Sequence, residues 1–491
     1  MKRYTLIFAS LALTFAGLAQ AAEPTGTGVQ IQALQAQIAE LEAKQARFEA
    51  GQNQDWLNDR RAEEVKALIR EVLADAETRA SLLESHAQAG HNGNHFFLQS
   101  SDGGFLMEIS GQIQLRYNWN SRDGVRESIR PGVANDGSEF GMEASRTKIQ
   151  FAGHIADPRI KYALQLAVNS ANNAVAADKI VVGYQLTDSI FIAGGEDKGP
   201  FLREETTSSA HQLAAERSYV SEFFTLDKVQ GVFLTWHDAD VLNDMFQGRL
   251  SINDGLRSGD GGTNVNPLTQ LDDFLAQDGV GDRGTDKTFD DDATDFAVTA
   301  RLDSRLAGDW AQMDDFTSWS GEDMGLFLGG AIHWENGETG DAFNNNDFFM
   351  WTVDGSLEYN GWSLFGAVTG MHTDNNGIDG GTTRDFDLFG FVVQGAYNID
   401  MGDNSLEPFV RYEHIDFDNS VTDSGINTED DVAIVTFGAN YYLDRHNAKF
   451  TLDVVWALDP VPFGQGNQAL IADVADEDSQ VALRAQFQLL F

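Results

Sequence analysis

Few side chains in this sequence are arranged for bond-making chemistry. The ten histidines include no HExxH or comparable zinc spacing, Ser209 and His211 stand outside any nucleophile motif, and there is no cysteine for a thiolate or a disulfide. His237 beside Asp238 and Asp240 is the one compact acid–base grouping, and short turns carry such residues for their own hydrogen bonds. Asp260, Asp273, Asp282, Asp286, Asp290, Asp291, Asp292 and Asp295 crowd one long segment without the EF-hand order, so Ca²⁺ ligation and plain solvation both fit them. What is arranged is charge. Arg116, Arg146, Lys148, Lys161, Arg301, Arg411 and Arg484 each sit on the polar parity of a segment whose other parity is apolar. Cations held in that way set up a fixed field that concentrates or repels ions; they need no catalytic partner.

The elements that position these charges are strands. Phe105 to Trp119 places Phe105, Met107, Ile109, Ile113, Leu115, Tyr117 and Trp119 on one parity and Glu108, Gln112, Gln114, Arg116 and Asn118 on the other, the period of a two-faced strand. Glu143 to Ile155 sets Arg146, Lys148, Gln150 and His154 against Ile149, Phe151 and Ile155. Ile160 to Asn169 sets Lys161 and Gln165 against Tyr162, Leu164 and Leu166, with Asp157-Pro158 as the turn between. The same test predicts strands near 179–186, 189–196, 230–237, 244–253, 295–302, 325–335, 347–359, 362–372, 385–398, 405–416, 432–443, 449–458 and 480–491, sixteen in all. The last ends on an aromatic, Phe491, as terminal strands of bacterial outer-membrane barrels do.

Connections between these strands alternate in length. Asp157-Pro158, Thr187-Asp188, His237 to Asn243, Asn360-Gly361, Asp400 to Asn404 and Asp444 to Asn447 are short. Segments near 120–139, 170–178, 197–229, 254–294, 336–346, 373–384, 417–431 and 459–479 are long. An even-stranded barrel with brief periplasmic turns and extended outer loops has this rhythm. Asp303 to Asp323 breaks it, as an enlarged turn or as a sign of a miscounted strand. A soluble stack of sheets would need helices or a partner sheet to cover the apolar faces, and helix-period segments are lacking after residue 90. In a closed barrel the last strand neighbours the first, so Arg116, Arg146, Lys148, Lys161 and Arg484 are expected to share one wall of the lumen.

Composition agrees. Acids outnumber bases 76 to 33, which excludes a nucleic-acid partner, and 48 glycines against 8 prolines suit many strands and turns. Met1 to Ala21, with Lys2 and Arg3, an apolar run from Tyr4 to Leu18 and Ala19-Gln20-Ala21, reads as a secretory signal peptide. Residues 22–86 read as a helical, coiled-coil segment. Ile31, Leu34, Ile38, Leu41 and Phe48 fall at a and d spacing, and Val65, Leu68, Ile69, Val72 and Leu82 form a second stripe. Residues 87–100 are expected to be a linker and 101–491 the barrel.

Glu143 to Phe224 resembles the phosphate-selective porin O and P family. The likeness lies in Ser145-Arg146-Thr147-Lys148, the paired strands Lys179 to Tyr184 and Ser189 to Glu196, Gly195-Glu196-Asp197-Lys198-Gly199-Pro200-Phe201, Thr206-Thr207-Ser208-Ser209 and Glu216-Arg217-Ser218. It implies a sixteen-stranded, trimeric outer-membrane channel of a Gram-negative-type bacterium, narrowed by its third loop, here 197–229. Lys198, Arg203, Glu204, Glu205, Glu216 and Arg217 would then form the constriction and face the basic wall. Ile at a with Leu at d favours parallel dimers, so the helical segment and the trimer point to different oligomers.

The expected architecture is therefore an all-β transmembrane barrel of about sixteen antiparallel strands, preceded by a short coiled coil in the periplasm. It would stand in outer-membrane lipid and pass small ions and hydrophilic solutes, without enzyme activity, cofactor or metal. Anion or phosphate selectivity, and a tether acting through the helices, are the alternatives.

Overall fold

Period-two alternation becomes strand pairing along most of the described residues after residue 86. The computed structural model describes residues 87–93, 95–122, 137–168, 174–237, 243–255, 296–336, 346–375, 386–417, 431–461, 468–471 and 479–491. The signal peptide and coiled coil expected within 1–86 lie outside the described residues, as do Asp238, Asp240 and nearly all of the acidic segment 254–294.

The strands are β1 (Ala87–His91), β2 (Phe96–Ser100), β3 (Phe105–Arg122), β4 (Ser138–Ile155), β5 (Asp157–Val168), β6 (Val175–Thr187), β7 (Ile190–Lys198), β8 (Lys228–His237), β9 (Phe246–Asn253) and β10 (Phe296–Ala307). They continue as β11 (Gly325–Asn336), β12 (Asn346–Tyr359), β13 (Trp362–Asn375), β14 (Phe386–Tyr397), β15 (Ile399–Asp400), β16 (Ser405–Phe417), β17 (Asp431–Asp444), β18 (Ala448–Ala457) and β19 (Gln480–Leu490). From β3 onward each pairs antiparallel with the next, and β15 is a two-residue continuation of β14 against β16. The ring closes where β19 pairs with β3, from Leu490 opposite Gln112 to Gln480 opposite Arg122. Among the described residues this is a closed antiparallel barrel of sixteen strands.

Closure pairs β3 and β19 along Gln112 to Arg122, so the ring has no open side there. At the seam, Gly111 N–H donates to the Phe491 carbonyl at 2.7 Å, and Phe491 N–H donates back at 3.1 Å. A Cβ on residue 111 would lie 2.2 Å from the Phe491 ring, so glycine is required for the ring to lie over this strand. Below the seam β2 takes over the same edge of β3, with Phe96 opposite Ile109 and Gln99 opposite Leu106. Residues 87–100 are thus a paired hairpin rather than the expected linker: once β19 ends, the edge of β3 offers unpaired backbone groups that a neighbouring segment can satisfy.

The two faces invert the usual burial. Leu302, Ile332, Val353, Leu364 and Val410 are each at least half exposed on the outside, while Arg116, Arg301, Asp354, Arg411 and Arg484 are buried within. Trp362 and Tyr397 stack outward at 4.5 Å beside the short turns.

The irregular segment 303–323 is an enlarged turn, and the strand count stands. β10 runs on to Ala307, and after Gly308 a 3₁₀ turn (Trp310–Asp314) is capped by Asp309, whose side chain accepts from Ala311 N–H at 2.9 Å. The chain then carries Phe316 inward, 4.7 Å from the Phe365 ring, and Thr317 to within 3.3 Å of Glu407.

Candidate functional site: the barrel lumen

One long connection, residues 199–227 between β7 and β8, bonds to the inward parity of strands around the ring. It contains two short helices, α1 (Arg203–Thr206) and α2 (Tyr219–Phe224). Ser218 caps α2 by accepting from Ser221 N–H at 2.9 Å, and the Glu413 carboxylate on β16 accepts from Tyr219 and Val220 N–H. An acid aimed at the positive end of a helix is favourable, and here it pins that helix to the wall. Phe201, Tyr219, Phe223 and Phe224 then pack on Met350, Leu388, Ile415 and Phe417, an apolar core inside the barrel.

Carboxylates complete the fastening. Glu216 takes Arg146 at 2.5 Å and Arg116 at 3.1 Å. Arg116 also donates to the Ala215 carbonyl at 2.8 Å, and Arg411 to the Glu216 carbonyl at 3.0 Å. Asp453 receives Arg484 at 2.8 Å and Ala215 N–H at 2.8 Å. Arg301 pairs with Asp354 at 2.8 Å and donates to the Phe201 carbonyl at 2.8 Å. Within the segment, Glu204 accepts from Ser218 N–H and Oγ at 2.6 Å, and Glu205 pairs with Arg217 at 3.1 Å. Burial pushes the Glu216 carboxyl up, but Arg146 and Arg116 outweigh it and hold the group well below the usual carboxylate range. Glu222 has no such outcome: burial, with Glu216 close by, pushes it up to about 8.

The predicted cations therefore divide. Arg116, Arg301, Arg411 and Arg484 have inward parity but lie buried beneath this segment in paired arrangements. Arg146 and Lys148 lie at its margin, and Lys161 is exposed. Of the six residues expected on the constriction, Arg203, Glu204, Glu205, Glu216 and Arg217 are buried, and Lys198 ends β7 with Nζ 2.6 Å from the Glu205 carbonyl.

Space remains along β5 to β9. A cavity of about 250 Å³ is bounded there by Lys161, Lys179, Lys198 and Arg249, by Asp197, and by Val181, Phe191, Ala193, Pro200, Phe233 and Thr235. Lys179 pairs with Asp197 at 2.6 Å and Arg249 with Asp303 at 3.2 Å, while Lys161 donates to Gln185 Oε1 at 3.4 Å. A bulge matters here. Gln165 faces Lys179 and Leu166 faces Ala177, so Asp178 is the supernumerary residue and turns inward to Lys148, at 2.7 Å, and to Lys228. Lys179 and Arg249 were within reach of sequence reasoning, since both share the inward parity of their strands; Asp178 was not, because the bulge breaks that parity.

No family model matches the chain. It is 23% identical over 309 residues to an uncharacterized protein of Aquifex aeolicus, an alignment taking 62% of this chain and 64% of that protein, so it spans under two thirds of that relative. Among solved structures it is similar to the anion-selective porin from Comamonas acidovorans, with 11% identity, TM-score 0.48, and 78% of this chain against 99% of that one. It is also similar to the outer membrane channel DcaP of Acinetobacter baumannii, with 12% identity, TM-score 0.46, and coverage of 78% and 97%. OprB of Pseudomonas putida gives 9% identity, TM-score 0.44, and coverage of 84% and 96%. The barrel described above rests on this chain's own strand pairing.

Proposed function

We propose that the chain forms an outer-membrane diffusion channel for small ions and hydrophilic solutes, in which residues 199–227 occlude the β10 to β19 side of the lumen and water passes along β5 to β9. The observation that carries this reading is the contrast between the two sides. Inward charges beneath the segment are buried and paired, whereas Lys161, Lys179, Lys198 and Arg249 border open space. A ring of outward Leu, Ile and Val at least half exposed needs an apolar solvent, and a barrel is the β form that satisfies its backbone there. A trimer, a Gram-negative-type host and periplasmic helices from residues 22–86 belong to the same reading.

Anion preference is the finer assignment. The exposed wall is cationic, and in a narrow passage the fixed charges nearest the ion path govern entry more than charges beyond a Debye length, about 8 Å. The resemblance to the phosphate-selective O and P family points the same way. Single-channel recording of the refolded mature protein in a planar bilayer tests both levels. Stepwise openings with a reversal potential of anion sign under a tenfold KCl gradient are expected. Folded barrels without openings would refute the channel, and a cation-sign potential would refute the anion preference alone.

A further inference from the structure

The cavity along β5 to β9 has two chemistries side by side. One border is cationic, with Lys161, Lys179, Lys198 and Arg249; the other is apolar, with Val181, Phe191, Ala193 and Phe233. Phe191 is specifically seated. A Cβ at residue 183 would lie 2.2 Å from its ring, so Gly183 on the paired strand leaves room for the ring to lie against the wall. The Lys161 ammonium stands 5.7 Å from the centroid of that ring, within cation–π range.

A wall built only for hydrated inorganic ions has no use for aromatic and aliphatic side chains, which bind water poorly and offer an ion nothing. Apolar surface beside fixed positive charge suits a solute that carries an apolar body and an anionic head. One cation of this border lacks an ion pair, which suits a head of one negative charge. Around the cavity stand four cations, with Asp197 on Lys179, Asp303 shared between Arg249 and Arg301, and Glu205 shared between Lys198, at 3.5 Å, and Arg217, which leaves Lys161 without an ion pair among the described residues. At about 250 Å³ the space sits just below the roughly 300–1,000 Å³ of small-molecule sites, which fits a single ring with one substituent.

We infer that this passage selects amphipathic organic monoanions, an aromatic carboxylate being the simplest, with the ring on Phe191 and Phe233 and the carboxylate on Lys161. The inference rests on the channel reading above and deepens it. The test is chloride current through the reconstituted full-length mature protein, with benzoate or acetate added to one side. Benzoate is expected to interrupt the current at a concentration about tenfold lower than acetate, in keeping with an aromatic pair plus buried apolar area. Phe191→Ala should bring the benzoate-to-acetate ratio close to one, and Lys161→Gln should weaken both anions together; heat-modifiable migration on gels establishes that each variant is folded. Equal potency of the two anions on the natural protein overturns the inference, as does a ratio that Phe191→Ala leaves in place. Absence of chloride current from folded barrels would instead remove the channel reading beneath it.

Discussion

The Arg203 guanidinium lies 5.2 Å from the centroid of the Phe316 ring, so the inward segment 199–227 and the enlarged turn 308–324 meet inside the barrel. Phe365 and Phe327 stand at 5.6 and 5.8 Å around the same group, and Ser356 Oγ and the Met313 carbonyl accept its protons. An arginine so enclosed joins four pieces of chain: α1, the turn, β11 to β13, and the apolar cluster containing Leu213 and Phe409.

Arg203→Ala should loosen both insertions at once. A desolvated cation–π contact is worth about 2 kcal/mol, and the hydrogen bonds add to it. We expect a lower thermal transition and larger, noisier conductance steps in a planar bilayer. Arg203→Lys should recover little of either, since a point charge cannot keep the planar stacking and the forked hydrogen bonds together.

Glu222 is expected to give the proposed channel a pH dependence near neutrality. With its carboxyl pushed up to about 8 by burial and by neighbouring Glu216, it is protonated at pH 7 and ionises as the pH rises. The folded state then binds a proton that the unfolded state has already lost, so this group's contribution to stability declines between about pH 4 and pH 8 and is level above that. Ionisation also adds a negative charge beside Glu216. Anion preference, read as reversal potential, should fall between pH 7 and pH 9, and Glu222→Gln should flatten that profile.

The seam supplies a third expectation. Gly111→Val would drive a side chain into the space of the Phe491 ring, where even a Cβ would approach to 2.2 Å. Because the pairing of β3 with β19 closes the ring, the yield of heat-modifiable barrel in a refolding assay should drop severalfold. Phe491→Ala alongside Gly111→Val should restore part of it, since the clash then has no ring to meet.

The sixteen strands were legible in the sequence because each has one face toward apolar surroundings and one toward polar groups, a contrast that period-two alternation records directly. Their outer ends were less so: β4 begins at Ser138, five residues before the alternation from Glu143 becomes clear. The hairpin of β1 and β2 was hidden because its residues gain no apolar burial and answer only to the free edge of β3. Within the lumen, parity located Arg116 and Arg484 but not their fate. That depends on Glu216, 100 residues beyond Arg116, and on Asp453, 31 residues before Arg484, and alternation holds no information about pairs so far apart.

The bulge on β6 makes the electrostatics of the passage a matter of counting. Asp178 reaches Lys148 and Lys228 because one extra residue is inserted opposite Leu166; deletion of Asp178 alone would erase the bulge and leave the other side chains of the strand on their present faces. The two lysines would then lose their shared acid, and the local charge would rise through a change of chain length alone. Insertions and deletions in this strand are therefore a route by which related channels could change ionic preference while keeping every lysine in place.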